Sequence, residues 1–116
     1  MIFEADSFRG DWEGFINNQA SHAYLVGIPA AWIVSRITSD PIAILGIIIF
    51  FYSIWWEVIA QHGGDWKDSA EDTIHVALAS AFIISAWGYT SWGVWPYVAQ
   101  AVLLLIGAIV RKVESE

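Results

Sequence analysis

Long apolar runs separated by short polar breaks dominate the chain, at intervals that suit membrane-spanning helices. From Pro41 to Ala60 the only charge among twenty residues is Glu57, and at ~1.5 Å rise per residue this run matches the ~30 Å hydrocarbon core of a bilayer. Asp40 is placed to cap that helix and Pro41 to fill its first position. After the polar break Gln61-His62-Gly63-Gly64-Asp65-Trp66-Lys67, Asp68 or Ser69 can cap a second helix, over 70–91, whose run IHVALASAFIISAWGYTSW is rich in Ala, Ser and Gly. Small residues let helices approach closely where burial of oily surface drives nothing, so this helix is expected at the centre of a bundle. A further helix is predicted over 94–110, ended by Arg111 and Lys112.

The segment over 20–37 is a less regular span. His22 follows Asn17, Asn18 and Gln19 at its start, and Pro29 removes a backbone donor within it, which predicts a kink. Upstream, over 1–18, Phe8, Trp12, Phe15 and Ile16 recur at helical spacing among charged residues, a pattern for a helix lying in the membrane interface. The resulting expectation is one all-α domain: an integral membrane bundle of four transmembrane helices with an N-terminal interfacial helix. The alternative keeps the first segment at the interface and leaves three spans.

Composition agrees with this class. The 116 residues are 57% hydrophobic with eight tryptophans, too apolar for an ordinary soluble domain of this size. A net charge of -7 with only five Lys and Arg argues against nucleic acid as a partner. The absence of cysteine excludes disulfides, thiol nucleophiles and Cys-ligated metals. The acidic start, MIFEADSFRGDWEG, does not resemble a cleaved signal peptide. With four spans, Arg9, Lys67, Arg111 and Lys112 share one side and Arg36 the other, so the positive-inside rule puts both termini and the 61–69 turn in the cytoplasm of a cell-membrane protein.

Candidate chemistry gathers around the break between the second and third spans. Glu57 and Gln61 are spaced i, i+4 at the end of one helix, and Asp68, Asp72 and His75 are spaced i, i+4, i+7 on the next. A short hairpin brings both stripes to one end of the bundle, with His22 as a residue that can close the pocket. Carboxylates this close to hydrocarbon are costly and mark sites by default. Glu57, Asp68, Asp72 and His75 suit a divalent cation, or general acid-base work, as well as a polar lipid head group. The plain alternative is that Asp68, Glu71 and Asp72 merely favour a helix N-terminus, each by ~0.3 to 1 kcal/mol, and that His75 is a packing residue. Glu71, Asp65 and His62 need nothing beyond a helix cap and a solvated turn.

His22 with Tyr24, Glu57 with Gln61, and then Asp68 and Asp72 occur in an order that resembles the VanZ-like family of small bacterial membrane proteins, over roughly residues 18–80. The chain departs from that pattern at Gly64-Asp65-Trp66-Lys67, where the family has an arginine, and near His75, where it has an asparagine. The resemblance implies a role in cell-envelope physiology and no particular reaction. Three functions follow as expectations: a pocket for a cation or polar head group, a non-enzymatic subunit or phage holin-like homo-oligomer, and ion transport, for which no continuous relay of ionisable residues is visible.

Overall fold

The computed structural model describes residues 10–55 and 66–115, with side chains for 10–55 and 70–114. Every element among them is helical: α1 (Trp12–Ser21), a π-helical turn (His22–Val26), α2 (Gly27–Ser35), α3 (Pro41–Ile54), α4 (Trp66–Ala86) and α5 (Trp95–Ser115). The first three follow one another without a break, so four rods make up a helical bundle. Glu57, Gln61, His62 and most of the 61–69 turn lie outside the described residues, as does the side chain of Asp68.

Local chemistry sets the helix ends. Asp11 accepts a hydrogen bond from the Gly14 amide at 2.9 Å and opens α1. Asp40 accepts one from the Ile42 amide at 3.1 Å, with Pro41 at the first turn of α3, as its sequence predicts. At the far end of α4 the Gly88 amide bonds the Ser85 carbonyl and the Tyr89 amide bonds the Ile84 carbonyl. Gly88 has φ 89°, so this pair of bonds is a Schellman-type stop. It ends α4 at Ala86 rather than near Ser91, while the helix begins already at Trp66, ahead of the expected cap at Asp68 or Ser69.

The rod from Trp12 to Ser35 differs from expectation in two respects. The described part of the segment expected at an interface, from Trp12, and the expected first span are one continuous helix, and the irregularity tied to Pro29 is the π turn just before it. A proline ring crowds the carbonyl four residues back, here Leu25, and a widened turn makes room for it. The same turn has a second use. Buried positions on this rod recur every four residues at Phe15, Gln19, Ala23, Gly27 and Ala31. In a uniform helix that spacing would drift by ~40° per step, and the π turn absorbs part of the drift.

α4 packs against every other element, the central place its small residues predict. It comes close to the first rod at Gly27: a Cβ built there would lie 3.0 Å from the Val76 carbonyl oxygen and 3.2 Å from the Ala79 Cβ. The Ser80 hydroxyl donates to the Gly27 carbonyl at 2.9 Å across the same contact. α3 runs antiparallel to α4, with Ile48 and Ile44 in the core alongside Val76 and Ile84 and the Ser53 and Thr73 hydroxyls 3.4 Å apart.

Two glycines therefore predict opposite outcomes. Gly27→Ala presses a methyl group against the Val76 carbonyl and the Ala79 side chain and should lower stability by ~1 to 3 kcal/mol. Gly46→Ala meets nothing within 4 Å, and should raise stability by roughly 0.5 to 1 kcal/mol by removing a mid-helix glycine. Reversible denaturation in detergent, compared between the two variants, checks both signs.

Candidate functional site

Polar side chains fill one end of the bundle, where the start of α4 meets the end of α3, the end of α5 and the middle of the first rod. Gln19, Glu71, Asp72, His75 and Arg111 are all buried there, with Arg111 fully inaccessible. Two adjacent acids on α4 face different neighbours. Asp72 turns to the first rod, where the Gln19 side-chain amide donates to its Oδ1 at 2.6 Å and His22 Nδ1 lies 3.8 Å from the same oxygen. Glu71 turns to α5 and accepts from Arg111 at 3.1 Å.

Arg111 is held on three sides. It donates one turn back to the Gly107 carbonyl at 3.2 Å, pairs with Glu71, and stacks 3.9 Å over the centroid of the Phe15 ring. That ring rests on Gly107, whose missing side chain leaves room for it; a Cβ there would overlap the ring. His75 meets Phe15 edge-on, with centroids 6.4 Å apart. The reading of Arg111 as a cation that ends the last helix is thus corrected: α5 continues through it to Ser115, and its charge is spent inside the bundle. Glu71 is corrected with it, because a helix cap would leave that acid at the surface rather than 3% exposed.

Of the predicted pocket residues, Asp72 and His22 come together. His75 is buried one turn further along α4 but faces Phe15, and Glu57, Gln61 and the Asp68 side chain are not among those described. Among the described residues no three His, Asp or Glu side chains are grouped to hold a metal ion. Tyr52 of α3 is buried at the same end, beside Ser53, whose hydroxyl lies 3.4 Å from that of Thr73 on α4. Gln19 and Arg111 are the members that the hydrophobic pattern passes over. Gln100, Gly107 and Arg111 do fall on one face of α5, at spacings of seven and four, and that stripe is the signal that finds the arginine.

An apolar groove of about 620 Å³ opens beside this cluster between α2 and α3, lined by Val26, Ile33, Ile37, Ile47, Phe51 and Tyr52 among others. Compared with protein-family models, curated proteins and solved structures, the chain matches none.

Removing one partner of a fully buried ion pair leaves the other charge stranded. Arg111→Met and Glu71→Leu should each cost ~3 to 5 kcal/mol, and the double variant should cost clearly less than their sum. A double-mutant cycle of denaturation midpoints measures the coupling; additive losses would show that the pair is not holding α4 to α5.

Proposed function

We propose that the chain is a multi-pass membrane protein, an integral bundle of four spans, whose polar cluster at the Asp72 end binds a cationic or hydrogen-bond-donating head group. The observation that carries this reading is the inversion of polarity across the bundle. Glu71, Asp72, His75 and Arg111 are buried, while Ile42, Phe50, Phe51, Val102, Leu105, Ile109 and many other large apolar side chains are exposed. Water rewards the opposite arrangement, and hydrocarbon rewards this one. Trp95–Glu114 is by itself long and apolar enough to cross a bilayer, with only 28% of its apolar window buried, and Pro41–Ile54 is a shorter apolar helix.

The charge balance supports the ligand class. With histidines neutral, the described interior holds two carboxylates against one guanidinium, and Arg111 is committed to Glu71. Among the described residues Asp72 accepts from the Gln19 side-chain amide and has the His22 imidazole 3.8 Å from the same oxygen. An ammonium or hydroxyl-bearing head group complements that oxygen set better than a metal ion, which needs more converging ligands. The order of His22, Tyr24, Glu57, Gln61, Asp68 and Asp72, similar to that of VanZ-like proteins, favours the cell envelope as the setting.

A second reading, a self-associating non-enzymatic subunit, has its own support. Exposed Trp95, Val98, Val102, Leu105 and Ile109 follow the alternating three and four spacing of a helix-pairing seam. Cross-linking in nanodiscs tests it, and a monomer at all protein-to-lipid ratios removes it.

The membrane topology is directly measurable because the chain has no native cysteine. Glu13→Cys and Ser39→Cys, both at exposed positions, should react with a membrane-impermeant maleimide from opposite sides, Glu13→Cys from the cytoplasm. For the site, ethylammonium binding followed by NMR should weaken ~10- to 100-fold in Asp72→Asn, the worth of a charged hydrogen bond, with an unchanged melting temperature. Equal binding by wild type and variant would remove the head-group reading.

A further inference from the structure

A second cavity, of about 290 Å³, lies where α2 ends and the chain turns out of α4, lined by Trp32, Ser35, Arg36, Trp87 and Tyr89. Trp87 follows Asp72 by fifteen residues, roughly 22 Å at the helical rise, so this cavity and the polar cluster occupy opposite ends of the bundle. Trp32, Arg36 and Trp87 are exposed, which leaves its mouth open.

Arg36 carries the only charge in the lining, and a guanidinium keeps that charge at any working pH. Its central carbon lies 4.4 Å from the centroid of the Trp32 ring. Attraction to a ring face consumes none of the five N–H donors, and among the described residues none of them has a hydrogen-bond or carboxylate partner. Asp40, the nearest acid along the chain, turns to the Ile42 amide instead.

The rest of the lining adds donors rather than acceptors. An indole can only donate and a phenol can donate, and neither Trp87 nor Tyr89 makes a side-chain hydrogen bond among the described residues. Ser35 already gives its proton to the Trp32 carbonyl at 2.8 Å. The carbonyls that close the two helices are engaged as well, Ile33 and Val34 by the amides of Arg36 and Ile37, Ser85 and Ile84 by those of Gly88 and Tyr89. A cation would meet repulsion and few acceptors here, whereas an oxyanion meets a full charge and several donors. The guanidinium fork can occupy both oxygens of a carboxylate; a phosphate keeps a further oxygen for donors from the second segment. At ~300 Å³, the lower end for ligand pockets, there is room for the anionic group and not for acyl chains.

We infer that this cavity binds a phosphate group, with Arg36 as its charge partner and Trp87 and Tyr89 as hydrogen-bond donors. The inference is independent of the head-group reading at Asp72. A lipid head group and a soluble phosphate share these contacts, and the test separates them.

The full chain is titrated in maltoside micelles, which contain no phosphate, at constant ionic strength, and the Trp87 indole N–H is followed by NMR after assignment with Trp87→Phe. Inorganic phosphate or dioctanoyl phosphatidic acid should move that signal saturably, with affinity at least tenfold lower in Arg36→Gln, the worth of a charged hydrogen bond. Arg36→Lys, which keeps the charge and loses the fork, should show a smaller loss, and it keeps the test decisive if Arg36→Gln does not fold. Lys112→Gln removes an equally exposed cation, lying over Trp12 at the other end, and should bind as the wild type does. Phosphatidic acid binding at least tenfold tighter than inorganic phosphate identifies a lipid as the source, and comparable affinities identify the soluble ion. Dioctanoylglycerol, with the same chains and no phosphate, should leave the signal in place. The inference is overturned by no saturable shift with either phosphate probe, by a shift retained in full in the Arg36 variants, by an equal loss in Lys112→Gln, or by the same shift with dioctanoylglycerol.

Discussion

A guanidinium with no access to solvent is tolerable only where its surroundings replace most of what water gave it. Arg111 has that replacement from three separate parts of the chain: the Glu71 carboxylate on α4, the face of Phe15 on α1 and the Gly107 carbonyl on its own helix. Each partner constrains the others. Phe15 reaches the guanidinium only because residue 107 has no side chain, and Glu71 reaches it only if α4 presents that face to α5. Asp72, the next residue, is then turned to the first rod and meets Gln19 and His22. The position of the candidate site follows from how a neighbouring charge is neutralised.

The helical class, the cap at Asp40, the distortion near Pro29 and the central place of α4 were legible in the chain, because each depends on local spacing and residue size. The polar interior was legible only in part. Asp72 and His75 advertise themselves by lying within an apolar run, whereas Arg111 sits beside Lys112 at the end of one, where a cation ordinarily marks the edge of the bilayer. Only packing distinguishes a residue that faces inward at that place from one that faces out. Gln19 is similar: three amides in succession look like a solvated entrance, and their positions relative to α4 decide which one is buried. The end of α4 differs from expectation for another reason, since the stop lies in the left-handed backbone of Gly88 and no charged residue marks it before Ser91.

The π turn over His22–Val26 sets the rotational phase between the two halves of the first rod. Its hydrogen-bonded loop closes over one residue more than an ordinary turn, and a helix rotates by about 100° per residue. Straightening the turn into ordinary α-helix at unchanged length would rotate Phe15 and Gln19 by about that angle relative to Gly27 and Ala31. Arg111 would lose its aromatic face and Asp72 its amide, while the Gly27 contact with α4 stayed in place. The rod thus acts as a phase coupler: one extra residue of backbone keeps the half that neutralises charge in step with the half that packs.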